Sequence, residues 1–202
     1  MLIEQLPVWI RFFLKGVTWR KDPNKKILYL TFDDGPIPGV TPWVLDILDL
    51  YNVKATFFCV GENVEKYPEI YKDILSRGHR TGNHTYNHKR GFLNDTMAYI
   101  SNIDKAAIYI ESDLFRPPHG DLRISQLRLI RKKYEIVQWD VISRDYNRDL
   151  PKEKVLEIVL KYTRNGSIIV FHDSLKAEVN MKFAMPKALE LLIGKGYSFD
   201  VL

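Results

Sequence analysis

Short apolar runs that do not alternate with polar residues recur along this chain, and stretches with helical spacing lie between them. Ile27-Leu28-Tyr29-Leu30 and Ile168-Ile169-Val170-Phe171 are the clearest. A strand that is apolar on both sides must be covered on both sides, as in a parallel sheet flanked by helices. Strands are expected near 27–32, 54–59, 79–83, 114–116, 135–139, 167–171 and 197–201. Helices are expected over 41–51, with Thr41 as N-cap and Pro42 as first helical residue, and over 67–77, closed by Gly78. Others follow over 95–111, 124–133, 151–164 with Gly166 just beyond, and 186–195. Seven strands and six intervening helices predict an α/β fold, a distorted (β/α)7 barrel. Seven strands are too few for regular eight-fold closure, so the barrel is expected to be TIM-like but incompletely closed. At 202 residues and 46% hydrophobic content the chain can bury one core without disulfides. No linker or low-complexity tract divides it, so a single domain over 1–202 is expected, with 1–26 packing on the barrel.

The first apolar run leads into Thr31-Phe32-Asp33-Asp34-Gly35-Pro36. Two carboxylates at the end of a strand are costly to bury unless they are paired or bind metal. Neighbouring side chains on a strand point opposite ways, so Asp33 and Asp34 cannot share one job unless the turn re-aims one of them. Two roles are therefore expected. Further on, Gly82-Asn83-His84-Thr85-Tyr86-Asn87-His88 spaces two histidines four apart, on one face of a helical turn or across a tight loop. An isolated pair of this kind is weak evidence. One carboxylate plus two imidazoles, however, is a three-ligand set that leaves positions open for water and substrate, the arrangement of catalytic metal sites.

Three later segments fit the same site. In Phe115-Arg116-Pro117-Pro118-His119-Gly120, prolines stiffen the chain beside an arginine, which suits holding a guanidinium against a carboxylate. The stretch from Trp139-Asp140 to Arg144-Asp145-Tyr146 supplies two acids, either of which could instead cap the next helix. The strand-like run ending in His172-Asp173 carries a histidine that, taken alone, reads as structural. Asp33, Asp34, His84, Arg116, Asp145 and His172 all follow expected strands, and in such barrels active residues gather beyond the C-terminal strand ends.

These motifs together resemble the polysaccharide deacetylase family, the NodB-homology domain of carbohydrate esterase family 4, from about residue 27 to the C-terminus. The resemblance implies a metal-dependent hydrolase that removes acetyl groups from N-acetylated or O-acetylated sugars of a glycan such as peptidoglycan or chitin-like oligomers. By matching motif positions, Asp34, His84 and His88 would hold one divalent cation, zinc first, with cobalt, nickel or manganese as alternatives. Asp33 would be the general base, Arg116 would orient and ionise it, His172 would be the general acid, and Asp145 would hold and tune His172. The backbone N–H at the His119 position would help stabilise the oxyanion, and Pro118, Tyr146 and Phe171 complete the expected substrate-binding set. An amide is a poor electrophile and its amine must leave protonated, so hydrolysis needs an acid and a base beside the metal in any case.

The family pattern is not met everywhere. His119 stands where tyrosine is usual, Tyr146 where tryptophan is usual, and Ile142 at a position that is often aspartate. None removes a catalytic group, but pocket walls set specificity, so the sugar is left open. Two alternatives remain beside glycan deacetylation: hydrolysis of another non-peptide C–N bond, and a catalytically silent carbohydrate-binding protein of the same fold. A matched acid and base argue against the silent protein, because binding has no need of them.

Cys59 is the single cysteine, lies in an apolar strand and reads as core, and His79 at a strand start reads as structural. The net charge of +5 is modest and spread out, with no basic stripe interleaved with aromatics, so nucleic acid is not an expected partner. The segment from Pro7 to Lys15 is apolar but interrupted by Arg11 and Lys15, which argues against a transmembrane helix or an intact signal peptide. Leu6, Ile10, Phe13 and Val17 share one helical face, expected to pack on the barrel, with an interfacial membrane helix as the minority reading. Localisation is left open, cytoplasmic by default, with peripheral membrane or envelope association as the alternative. Oligomeric state is not legible.

Overall fold

The computed structural model describes residues 16–202. The stretch from Pro7 to Lys15 lies outside them, as do Leu6, Ile10 and Phe13. Val17, expected on the same helical face, sits instead in a short strand, β1 (Val17–Thr18). Along the chain follow β2 (Ile27–Asp33), α1 (Thr41–Leu50), β3 (Thr56–Cys59), α2 (Gly61–Lys66), α3 (Pro68–Ser76), β4 (Arg80–Asn83), α4 (Thr96–Ala106) and β5 (Leu114–Phe115). A 3-10 turn over Pro118–Gly120 leads to α5 (Ile124–Ile130), β6 (Glu135–Val137), β7 (Val141–Ile142), α6 (Lys152–Tyr162), β8 (Ile168–His172), α7 (Glu178–Gly194) and β9 (Ser198–Phe199).

The strands form one all-parallel sheet in the order β1-β6-β5-β4-β3-β2-β8-β7, with β9 joining β2 at Ile27 and Leu28, the end remote from the acid pair. β6 pairs with β5 and β7 with β8, yet β6 and β7 belong to one stretch of chain interrupted at Gln138-Trp139-Asp140. The sheet therefore curls round so that β7, at one end, and β6, next to the β1 end, lie on one stretch of chain, with no regular ladder across the break. This is the distorted, incompletely closed (β/α)7 barrel that the run pattern predicts.

Side-chain alternation along β2 divides the core. Leu28, Leu30 and Phe32 face the helices and pack with Val44, Leu45, Val159 and Met185, while Tyr29 packs on the other side with Phe58, Leu114, Val137 and Ile168. Fully burying each Leu, Val or Phe contributes about 1.5–3 kcal/mol, so covering both faces holds the helices to the sheet. Cys59 is fully buried among the helix-facing residues, as its strand position implies. His79 is buried too, its Nδ1 accepting the Ala55 N–H.

Three helix starts are informative. Thr41 is the first residue of α1 rather than its cap, and its hydroxyl accepts the Ile37 N–H and donates to Asp173 Oδ2 at 2.6 Å. α7 begins at Glu178, eight residues before the expected start, and carries Pro186 in its interior. Asn180, Met181, Ala184 and Met185 are buried upstream of that proline, and this packing outweighs the hydrogen bond it removes. At α4, Asp95 Oδ1 accepts the N–H groups of Met97 and Ala98 at 2.9 and 3.1 Å. Asp95→Ala is expected to lower stability by about 1 kcal/mol, read as an earlier midpoint in urea unfolding with an unchanged slope.

Candidate active site

Ladder pairing brings the chemically active strand ends together. Asp33, the last residue of β2, stands directly opposite His172, the last of β8. Asn83 at the end of β4 pairs with Phe115, so His84 and Arg116 leave their strands side by side, and the Arg116 N–H donates to the Asn83 carbonyl. Beyond these ends lies a cavity of about 460 Å³. Asp33, Asp34, His84, His88 and His172 are among the residues that line it, with His119, Trp139 and Tyr146 on its walls.

Arg116 is fully buried and bonded in several directions at once. Its Nη1 donates to Asp33 Oδ1 at 2.6 Å and to Thr31 Oγ1 at 2.8 Å, while Nε and Nη2 reach the carbonyls of Val137 and Gln138 at 3.4 and 3.1 Å. Its guanidinium lies 4.0 Å from the centre of the Phe58 ring. Burial pushes its pKa down and Asp33 pushes it back up. A guanidinium stays protonated under such a shift, so Asp33 faces a fixed positive charge.

Asp34 has φ of 89°, a left-handed conformation that turns its side chain to the same side as Asp33. The turn thus does the re-aiming that a shared site requires. It is clamped from behind: Asn63 Nδ2 donates to the Asp34 carbonyl at 2.7 Å, and the Gly35 N–H donates to Asp173 Oδ1 at 3.0 Å. A Cβ at Gly35 would lie 1.9 Å from Asp173 Oδ2, so only glycine fits. Burial pushes the Asp173 carboxyl up to about 8, against the hydrogen bonds it accepts. Sequence reasoning missed both clamps. Asp173 could have been suspected from its place just after the strand-ending histidine, whereas nothing marks Asn63.

His84 and His88 lie across a tight loop rather than on a helix, with Thr85 and His88 at φ of 66° and 56°. His84 Nδ1 is 2.7 Å from the Arg116 carbonyl, to which it donates, leaving Nε2 as a lone-pair donor toward the cavity. Burial pushes His84 down to about 4, so the ring is neutral, as a ligand must be. The Nε2 atoms of His84 and His88 stand 3.9 and 3.2 Å from Asp34 Oδ1. One ligand atom from each of these residues falls within 4.8 Å of the others, and Asp34 Oδ1 is buried without a hydrogen-bond donor. Burial alone would raise the Asp34 pKa, but the imidazoles of His88, His172 and His84 outweigh it and hold the carboxyl well below its ordinary range. An ionised carboxylate oxygen and two imidazole nitrogens converging on one point fit a divalent cation.

On the other side of Asp33, His172 Nδ1 is 2.7 Å from Asp145 Oδ1, and the His172 N–H donates to Asp145 Oδ2 at 2.8 Å. Burial opposes a charge on this ring, but the fully buried Asp145 carboxylate outweighs it and raises the His172 pKa to about 9. Tyr146 stands edge-on to the ring, centroids 5.0 Å apart. Asp140, the other acid of that stretch, is turned away and held by Arg164 at 2.8 and 2.9 Å and by Ser167 Oγ at 2.8 Å.

Of the expected substrate-binding residues, His119 and Tyr146 line the cavity. His119 takes φ of 60° in the 3-10 turn and its ring packs edge-on against His88 at 4.8 Å. Phe171 does not reach the cavity. Alternation along β8 points His172 inward and Phe171 outward, where it packs beside Phe32 in the helix-facing core. Pro118 is buried within its turn and contributes no wall either. Among the described residues, four of the six non-glycine positions with positive φ, Asp34, His88, His119 and Arg144, line the cavity, a concentration of backbone strain typical of functional sites.

A sequence profile described as polysaccharide deacetylase matches residues 20–138. A peptidoglycan-N-acetylglucosamine deacetylase of Bacillus cereus is 34% identical over 191 residues, spanning 91% of this chain and 89% of its own. This chain belongs to the polysaccharide deacetylase family. A chitooligosaccharide deacetylase of Azorhizobium caulinodans is 35% identical over 167 residues, 78% of this chain and 79% of that protein. A solved peptidoglycan N-acetylglucosamine deacetylase, crystallised with a naphthalenyl N-hydroxybenzamide, superposes with a TM-score of 0.89 at 32% identity, covering 98% of this chain and 95% of that one. Polysaccharide deacetylases of this fold are metal-dependent hydrolases, and Asp34, His84 and His88 are the residues here that can hold the cation. Among the described residues no helix is long and apolar enough to cross a membrane.

Proposed function

We propose that this protein acts as a single catalytic domain that hydrolyses the acetamide of N-acetylated sugars in a polysaccharide such as peptidoglycan or a chitin-like glycan. The observation that carries this reading is the pairing of Asp33 and His172 across neighbouring strand ends, one against a buried guanidinium and the other against a buried carboxylate, beside a three-residue cation site. Zinc is the cation that a carboxylate and two imidazoles suit first. Once bound, such an ion supplies Lewis acidity, polarising the acetamide carbonyl and lowering the pKa of a water toward about 7.

The protein's own groups do the rest. Asp33, held against the buried Arg116 guanidinium, takes the proton of the attacking water. The His119 backbone N–H, presented by the left-handed turn, donates toward the charge developing on the carbonyl oxygen. Tyr146 bounds the acetyl methyl group. His172, protonated at neutral pH, gives its proton to the departing amine so that it leaves neutral. The reading is tested by acetate release from N-acetylglucosamine oligomers. Chelation is expected to abolish release and added zinc to restore it, while Asp33→Asn is expected to lower kcat about 10²- to 10⁴-fold. Failure of the zinc-loaded protein to release acetate from any acetylated glycan would sink the proposal.

A further inference from the structure

Asp34 serves the cation site in a backbone conformation that only glycine adopts freely. On a regular strand its side chain would point away from that of Asp33, and the φ of 89° that brings it round is disfavoured for a residue with a Cβ. The turn must therefore be held from outside. Peptide units are planar, so the two planes that flank Asp34 fix its φ and ψ between them.

Both planes are bonded by groups that lie outside the turn. The plane before Asp34 presents the Asp33 carbonyl, which accepts the Asp173 N–H at 3.1 Å. The plane after it is gripped at both poles: its carbonyl accepts from Asn63 Nδ2 at 2.7 Å, and its N–H, that of Gly35, donates to Asp173 Oδ1 at 3.0 Å. One residue further, the Gly35 carbonyl accepts the Val60 N–H at 2.9 Å, immediately before α2, whose third residue is Asn63. Asp173 is buried and fixed in turn by the Thr41 hydroxyl at 2.6 Å. The end of β2 is thus clamped to the start of α2 on one side and to the end of β8 on the other. Neither Asn63 nor Asp173 lines the cavity or belongs to the three-residue cation set, so neither has a direct part in ligation.

We infer that Asn63 and Asp173 are positioning residues that set the affinity of the cation site, by holding Asp34 in the turn that aims its carboxylate at His84 and His88. The inference rests on the reading of those three residues as cation ligands, and not on which glycan is hydrolysed. The full chain, stripped of metal, is titrated with zinc in competition with a chelating dye. Asn63→Ala, at a half-buried side chain, is expected to raise the zinc dissociation constant about ten- to a hundredfold, as loss of a group behind a ligand typically does. Asp173→Ala is expected to match it, whereas Asp173→Asn, which keeps an oxygen for the Gly35 N–H, is expected to stay within about threefold of the parent. Asp95→Ala is the control, since it weakens a helix cap that does not line the cavity and should leave zinc affinity unchanged.

A folded Asn63→Ala that binds zinc within about twofold of the parent overturns the inference, and so does an equal loss in Asp95→Ala. If Asp173→Asn binds as weakly as Asp173→Ala, the grip on Gly35 is not what Asp173 supplies and its assignment falls. The Asn63 result decides the matter should Asp173→Ala fail to fold. A parent protein that takes up no zinc overturns the inference together with the cation site. Weakened zinc binding in Asn63→Ala with no acetate from any glycan leaves the clamp standing and removes the deacetylase reading, whereas acetate release with unchanged zinc affinity does the reverse.

Discussion

Replacing His172 with asparagine is expected to lower kcat for deacetylation about 10²- to 10⁴-fold while leaving zinc affinity within about twofold of the parent, since a general acid contributes to proton transfer and not to ligation. The geometry separates the two roles. His172 spends Nδ1 on Asp145 and lines the cavity, whereas the residues that could hold a cation are Asp34, His84 and His88. His84→Asn is the contrasting case, expected to lose the cation and with it all activity. The pH dependence follows from the same pair. His172 is raised to about 9 against an ordinary value of 6.5, so it is charged at neutral pH and loses its proton as pH climbs through about 9. Stability from the His172–Asp145 pair is therefore complete below about pH 6.5 and lost as pH rises through about 9. The alkaline limb of kcat/KM is expected above the ordinary imidazole range, and Asp145→Asn is expected to move it to lower pH. A His172→Asn variant that keeps kcat within about fivefold would remove the ring as the proton donor.

Most of the barrel was legible because its strands are short, covered on both faces and separated by helices, and all seven expected runs contain strands. What escaped was decided by tertiary contacts. The α7 start was misplaced because Pro186 reads as a first-turn residue, when burial of Met181, Ala184 and Met185 carries the helix through it. Thr41 reads as a cap, but its hydroxyl serves Asp173, a partner 132 positions away. At the site, the groups expected to do chemistry converge, since residue type and strand-end position both mark them. Phe171 and Pro118 went astray because wall residues are chosen by facing, and alternation places Phe171 opposite His172.

Arg116 is the position where substitution is expected to cost the most stability. It leaves three debts if removed: Asp33 would be a buried carboxylate without its cation, and the carbonyls of Val137 and Gln138 would lose their donor. Those carbonyls lie at and just past the end of β6, beyond its pairing with β5, which stops at Ile136. Breaking a buried ion pair by removing one partner typically costs about 3–5 kcal/mol, a large part of the roughly 5–15 kcal/mol that holds a domain folded. Arg116→Met, which keeps most of the volume, is therefore expected to unfold at a midpoint lower by about 6–20 °C, on the order of 2–4 °C per kcal/mol at this size. Arg116→Lys separates fold from function. Its ammonium can still face Asp33 but lacks the planar fork that serves Thr31 and two carbonyls at once, so partial recovery of the melting temperature with kcat still depressed is the expected outcome. If Arg116→Met melts with the parent protein, the buried guanidinium is not what joins the end of β6 to Asp33.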